Sequence, residues 1–282
     1  MTPTVCQCMV NYYTPELIQI LLINGYFWYN KYMEEHFFKF SLFSRYPELV
    51  HGISNRHYGD MRFGQLPPQE VIKNREHFFN DLKVKEKPVV TGQVHGTKIV
   101  IVGTEEKGRG WDKKGSAITG TDGLITTEKD VYLMILTADC LPVVIYDPIL
   151  QIAGVIHAGW RGIIDQIIPE TLVKFRNLGT DTENLIAGIG PGICQKHFIV
   201  KNSVMQHFIN IYPKASFVRN NDGYVDLKKA VFSDLTKLGV VKENIDITSI
   251  CTVCDNGNYS SVRQEGSGAP EMATVVGIKG KL

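Results

Sequence analysis

Short apolar runs, each closed by glycine, proline or charged residues, recur along most of the chain. Their length and their content of Val, Ile and Tyr predict strands over 89–94, 98–102, 123–126, 132–136, 142–146 and 152–157, and again over 185–189, 245–250, 259–263 and 273–278. Between these runs the period lengthens. Residues 69–82, following Pro67 and Pro68, read as a helix. So do residues 162–178, with Ile163, Ile164, Ile167, Ile168, Leu172 and Phe175 on one face and a bend expected at Pro169. A weaker helical pattern covers 200–212. Residues 226–238 carry an apolar stripe, with Asp226 as N-cap and Gly239 as the stop. The charged, glycine-rich stretch 103–115 reads as an exposed loop, because strands resume on both sides of it. The mixture implies a single α+β or α/β domain, without repeats or an internal linker.

The N-terminal pattern differs. Leu17 to Tyr29 is apolar but interrupted by Gln19, Asn24 and Gly25. It is shorter than the roughly 20 residues that a membrane-spanning helix needs, and it has no basic lead or small-residue cleavage site. Met33 opens a segment that reads like a natural chain start. Residues 1–32 are therefore expected to be a dispensable extension, and 33–282 the catalytic domain.

Composition narrows the partners. The 282 residues carry a net charge of +1, from 30 basic and 29 acidic side chains. That balance shows no electrostatic footprint for nucleic acid, and no membrane association is expected. The six cysteines, at 6, 8, 140, 194, 251 and 254, are too sparse and irregular for a disulfide framework. A reducing, cytoplasmic setting follows, with thiolates available for metal or chemistry.

Three segments each place a metal-capable residue at the edge of an apolar run beside glycine or proline: Gln93-Val94-His95-Gly96, Asp139-Cys140-Leu141-Pro142 and His157-Ala158-Gly159-Trp160-Arg161. Imidazole and thiolate both suit zinc, and three protein ligands leave a fourth tetrahedral position open. By residue chemistry alone, His95, Cys140 and His157 are a candidate metal set, against the plainer reading of a hydrogen-bonded histidine or core cysteine. Cys251 and Cys254 have CxxC spacing, but no second CxxC completes a site, and they read as a strand end entering a loop. Gly188 to Gly192 reads as a tight turn, since it matches no phosphate-loop fingerprint. Arg56, Arg161 and Arg263 lie beside turn formers, and an anionic substrate would need at least one of them.

Read in order, HGISNR (51–56), TGQVHG (91–96), GTDGLIT (120–126), TADCLPVVIYDP (137–148), HAGWRG (157–162), GIGPGI (188–193), DLKKA (226–230), CTVC (251–254) and YSSVRQEGSG (259–268) resemble the YfiH-like family. That family is known as polyphenol oxidase or laccase domain, and also as purine nucleoside phosphorylase. The resemblance covers roughly residues 45–280. It implies a layered α/β/β/α sandwich with mixed sheets, and zinc on His95, Cys140 and His157. It also implies phosphorolysis of adenosine, inosine, guanosine and methylthioadenosine, with adenosine deamination as a second reaction.

On this reading Cys140, His157 and Asp139 are catalytic candidates. Asp139 is placed to move protons or support the metal ligands, or alternatively to cap a local turn. Gln93, Arg56, Arg161, Arg263 and Cys251 are candidate contacts to nucleoside and phosphate. The chain also departs from the family pattern. Asn55-Arg56 replaces a threonine-arginine pair, Arg62-Phe63-Gly64 stands where an asparagine-leucine-glycine turn is usual, and the last motif reads Arg263-Gln264 and then Gly268-Ala269-Pro270-Glu271. Anion handling near the C-terminus is therefore expected to differ. Other readings are a copper oxidase, a metal-free hydrolase using Cys140 and His157, and a partner-binding protein relying on residues 1–32. A laccase needs many paired histidines, and the eight here include no His-x-His. The oligomeric state is left open.

Overall fold

The apolar runs that predict strands are buried on both faces, as in strands covered from either side. The computed structural model describes residues 36–280, so the expected extension at 1–32 lies outside the described residues. Five strands form one sheet: β1 (Leu49–Ile53), β2 (Val89–Gly92), β4 (Ile118–Thr119), β6 (Tyr132–Thr137) and β14 (Met272–Ile278), in the order β1-β14-β6-β2-β4. Six form the second: β3 (Ile99–Ile101), β5 (Gly123–Thr126), β7 (Leu141–Asp147), β8 (Ile152–Ala158), β9 (Ile186–Ile189) and β13 (Ile245–Ile247), in the order β13-β9-β7-β8-β5-β3. Both sheets mix parallel and antiparallel pairs. A small antiparallel ribbon of β10 (Ile199–Val200), β12 (Asp222–Val225) and β11 (Ser216–Arg219) stands apart.

The sheets stack face to face. Leu133, Ile135 and Val276 of the first pack against Leu124, Val144 and Val155 of the second. The outer face of the six-stranded sheet is covered by α2 (Trp160–Ile164), α3 (Ile167–Asn177), α4 (Asn202–Ile211) and α5 (Leu227–Lys237), through Ile163, Leu172, Phe175, Phe208 and Leu235. The outer face of the five-stranded sheet is covered by α1 (Pro68–Asp81) through Phe78 and Phe79. A one-turn helix, α6 (Val262–Glu265), precedes β14. The result is the expected α/β/β/α sandwich, one domain with three apolar layers. Each fully buried Leu, Ile or Phe contributes about 1.5–3 kcal/mol to holding it.

Local chemistry explains where the expected elements shift. The helix expected over 162–178 is two helices, and the break falls at Asp165–Gln166, not at Pro169. Gln166 turns left-handed (φ 70°) and its amide donates to the Tyr212 hydroxyl at 2.9 Å. Pro169 then sits in the first turn of α3, where a missing N–H costs nothing. The strand expected over 259–263 is a turn leading into α6, because the Ser261 hydroxyl caps the helix by accepting from the Gln264 amide. Asp226 caps α5 as expected, accepting from the Lys229 amide at 3.0 Å. The loop 103–115 is irregular as expected, but it is anchored by Trp111, which is buried against Phe79.

Candidate functional site

Strand register brings the three metal-capable segments together. β7 and β8 run antiparallel with Leu141 opposite Ala158, so Cys140, one residue before β7, meets the end of β8. Alternation along β8 turns Ala153 and Val155 into the space between the sheets, and His157 continues that face. β5 pairs with β8 so that Gly123 faces Ile156. Extending the ladder by one step sets Asp122 beside His157, whose amide donates to the Asp122 carbonyl at 2.7 Å.

Asp122 then organises the third segment. Its buried carboxylate accepts from the backbone amides of Val94 (3.2 Å), His95 (2.9 Å) and Gly96 (2.8 Å). This wrapping needs a left-handed residue, and His95 supplies it at φ 62°. The same carboxylate meets His157 Nδ1 at 2.8 Å. A carboxylate only accepts, so Nδ1 carries a proton, and Nε2 is the atom that a metal would take in exchange for its own proton. Asp122 is the residue that sequence reasoning missed; its only signal was its place inside the GTDGLIT segment.

His95, Cys140 and His157 offer ligand atoms that all lie within 4.8 Å of one another, so this cluster could hold a metal ion. Gly159 leaves the room for it. A Cβ there would stand 2.9 Å from His95 Cδ2, 3.2 Å from Cys140 Sγ and 3.4 Å from His157 Cε1. Burial opposes a Cys140 thiolate, but the charge of His157 and hydrogen bonds from His157 and His95 outweigh it and draw the thiol down to about 6. Burial likewise opposes a charged His157, and the facing thiolate and Asp122 carry it up to about 9. Thiolate is the ligating form of cysteine, and a cation binding here would displace the His157 Nε2 proton.

The cluster lies on the wall of a cavity of about 1090 Å³. Phe63, Trp160 and Phe198 give it aromatic surface, while Arg62, Lys114 and Arg263 give it positive charge. Arg75 also reaches this wall. Its guanidinium is buried, lies 4.4 Å above the Phe63 ring and donates to the carbonyls of Met61, Gly110 and Trp111. Burial lowers its pKa to about 10, leaving it charged at neutral pH.

Among the sequence candidates, Gln93, Asp139 and Arg263 line this cavity. The Gln93 amide is held by the backbone of Leu136 through two bonds of 2.7 Å. Asp139, at φ 87°, accepts from the Thr252 hydroxyl (2.6 Å) and the Arg263 amide (2.7 Å). Its carboxylate does not cap a local turn; it ties the Cys140 segment to the distant segments of Thr252 and Arg263. Arg56, Arg161 and Cys251 are not on the cavity wall. Arg56 pairs with Glu265 and donates to the Asn256 carbonyl, while Arg161 stacks over Trp160 at 4.3 Å. Arg62, which sequence reasoning left out of the site, bonds the Ala269 carbonyl and pairs with Glu271 at 3.2 Å. Its Nε is buried without a hydrogen-bond partner.

Gly188 to Gly192 is not the expected turn: Gly188 and Ile189 end β9, the Gly190 amide donates to the Pro142 carbonyl at 2.9 Å, and Gly192 bridges Cys251. The strand passes close to the Cys140 segment, and a Cβ on Gly192 would sit 2.9 Å from the Asp139 carbonyl. Cys251 and Cys254 correct the sequence reading. They close a turn whose thiols meet Cys194 and His197, which no sequence motif had joined to them.

Comparison with known proteins gives the chain a family. Over 219 residues the chain is 30% identical to the purine nucleoside phosphorylase YlmD of Bacillus subtilis (strain 168), covering 74% of this chain and 78% of that one. Over 187 residues it is 29% identical to the adenosine deaminase RL5 of an unknown prokaryotic organism, covering 63% and 70% of the two chains. The solved structure of YlmD from Geobacillus stearothermophilus superposes with a TM-score of 0.78 at 25% identity, over 83% of this chain and 93% of that one. The Bacillus licheniformis hypothetical protein YfiH shares the fold, with a TM-score of 0.79 at 24% identity over 84% and 94%. No described helix is long and apolar enough to cross a membrane. With residues 50–279 matching throughout, the chain belongs to the family described as multi-copper polyphenol oxidoreductase laccase, the laccase-domain or YfiH family.

Proposed function

We propose that the protein is a zinc-dependent purine nucleoside phosphorylase acting on adenosine, inosine, guanosine or methylthioadenosine, with adenosine deamination as a second reaction. One observation carries the reading: two imidazoles and a thiolate converge on the wall of a cavity large enough for a nucleoside and phosphate, beside aromatic rings and arginines. His95, Cys140 and His157 suit zinc in donor type and number, and they leave a fourth position open. When bound, zinc supplies Lewis acidity that polarises a substrate oxygen or activates water.

The chain's own residues supply the rest. In phosphorolysis a phosphate oxygen forms a bond to ribose C1′. The C1′–N9 bond breaks, its electron pair leaves with the purine, and the proton that the attacking hydrogen phosphate gives up ends on the purine, giving free base and ribose 1-phosphate. Arg62 and Arg263, with Lys114, are assigned to the phosphate, since a cationic wall offsets its charge and orients it for attack. The last motif reads Gly268-Ala269-Pro270-Glu271 where the family pattern has a glycine-arginine pair, and Arg62, paired with Glu271, is assigned to supply a cation there. Trp160, Phe63 and Phe198 offer flat apolar surface for the purine. Asp139 is assigned to hold the Cys140 turn against Arg263, and Asp122 to hold His157.

A second reading rests on the lowered thiol of Cys140 beside His157, which is also the pairing of a metal-free cysteine hydrolase. Purified protein incubated with inosine or adenosine, with and without phosphate, separates the alternatives. Free base plus ribose 1-phosphate supports phosphorolysis, and inosine from adenosine supports deamination. Loss on chelation with recovery on zinc addition supports the metal. Turnover that survives complete zinc removal overturns it.

A further inference from the structure

Outside this cavity, Cys194, His197, Cys251 and Cys254 bring four ligand atoms within 4.8 Å of one another. None of these cysteines is bridged in a disulfide. His197 Nδ1 stands 3.4 Å from Cys194 Sγ, 3.6 Å from Cys251 Sγ and 3.6 Å from Cys254 Sγ. A tetrahedral zinc with ordinary Zn–S and Zn–N bonds of about 2.3 and 2.05 Å spaces sulfur and nitrogen ligands about 3.6 Å apart. One imidazole nitrogen nearly equidistant from three sulfurs, at that spacing, is the edge pattern of such a site.

The backbone is shaped for it as well. Both halves carry two-residue spacing, Cys194-x-x-His197 and Cys251-x-x-Cys254. Each closes a tight turn: the His197 amide donates to the Cys194 carbonyl at 3.0 Å, and the Asp255 amide to the Cys251 carbonyl at 2.9 Å. The Cys194 amide points at the Cys251 sulfur, 3.3 Å away. Such N–H···S bonds orient thiolate ligands and offset their charge. A parallel bridge between Gly192 and Cys251 sets the two turns side by side. Lys228 adds a clamp, donating to the carbonyls of Thr248 (2.6 Å) and Ile250 (2.8 Å) just before Cys251.

We propose that Cys194, His197, Cys251 and Cys254 form a second, closed zinc site, structural in kind and separate from His95, Cys140 and His157. Four protein ligands leave no open position, which is the mark of a structural centre. Three sulfurs and one imidazole favour zinc over harder divalent ions. The site clips the loop after β9 to the loop before α6. Thr252, between its cysteines, holds Asp139, and the His197 carbonyl accepts from Arg263. The clip therefore braces the cavity wall at Ile193, Phe198 and Arg263, and it stands whether or not the nucleoside reading holds.

The test is metal content and cobalt spectroscopy on the full chain, purified anaerobically. Wild type is expected to hold about two zinc ions per chain, and Cys254→Ser and His157→Ala about one each. In the His157→Ala background, cobalt should give strong thiolate-to-cobalt charge-transfer absorption. Cys254→Ser should remove most of it, and Cys254→His, which restores a ligand, should recover the metal. If Cys254→Ser fails to fold, the wild-type stoichiometry and the Cys254→His spectrum still decide. A single zinc that His157→Ala abolishes, or a disulfide among Cys194, Cys251 and Cys254 in place of metal, overturns the proposal.

Discussion

Replacing Asp122 with asparagine tests how the site is held. The carboxylate has no exposure and takes four bonds, from three consecutive amides and His157 Nδ1. Asparagine matches its shape but has one acceptor and one donor end. If the oxygen takes the Oδ2 place it keeps the Val94 and Gly96 amides, and the NH2 group faces the His95 amide and Nδ1, which forces the imidazole proton onto Nε2, the atom a metal needs. If it takes the Oδ1 place it keeps the His95 amide and Nδ1, and the NH2 group faces the Val94 and Gly96 amides. Either outcome costs the charge-assisted bonds, about 1.5–3 kcal/mol each at most, and the second case strains the His95 turn. Losing such a histidine orienter lowers metal affinity by about 10–100-fold, or about 1.4–2.7 kcal/mol. Zinc affinity by chelator competition reads this directly. Urea melts in excess chelator separate it from a folding defect. An Asp122→Asn protein that folds normally and binds zinc within about twofold of wild type would refute the argument.

Three further outcomes follow from named contacts. Gly159→Ala should lower zinc affinity with little change in the melt without metal. The backbone there is extended at φ −72°, and the atoms nearest the added methyl belong to His95, Cys140 and His157; unchanged affinity would show that the three ligands do not converge as tightly as the distances indicate. Arg62→Ala should raise the KM for phosphate by roughly 10-fold or more through loss of a charged contact, with Arg62→Lys recovering part; steady-state rates against phosphate check this, and an unaltered KM removes Arg62 from the phosphate site. His51 is buried and accepts from the Phe40 amide, and burial, then Lys39, lower its pKa from 6.5 to about 4. The unfolded chain binds the proton more tightly, so stability should fall as pH drops from about 6.5 toward 4, by roughly 3 kcal/mol. Urea melts across that range should lose this slope in His51→Gln, and a slope of the same size in the variant would assign it elsewhere.

How much of this was legible in the sequence depends on the range of the interaction. The strands at 123–126, 132–137, 141–147 and 152–158 were readable because apolar runs bounded by breakers are local. The Asp226 cap was readable for the same reason. Tyr259 to Arg263 was misread because its apolar start resembles a strand, whereas the Ser261 cap commits the segment to a turn of helix. The break at Gln166 was invisible, since the left-handed residue is held by Tyr212, far along the chain.

The site divides along the same line. His95, Cys140 and His157 were identifiable from residue type at strand ends, and the family motifs made them a set. Arg56, Arg161 and Cys251 were chosen for charge or thiol alone, and side-chain direction, which tertiary packing sets, takes them off the cavity wall.

Residue chemistry and the pattern of apolar runs by themselves determined a single domain mixing helices and strands and made His95, Cys140 and His157 a candidate set, because both depend on local composition; the layered arrangement and the ligand set were implied by the family motifs. Only the tertiary structure decided that Asp122 grips both histidine segments, that Arg62 and not Arg56 faces the cavity, and that Cys251 and Cys254 meet Cys194 and His197. Those pairings arise from register between strands distant in sequence. A one-residue slip in β5 against β8 would turn Asp122 away from His157, and nothing in the local sequence records that register.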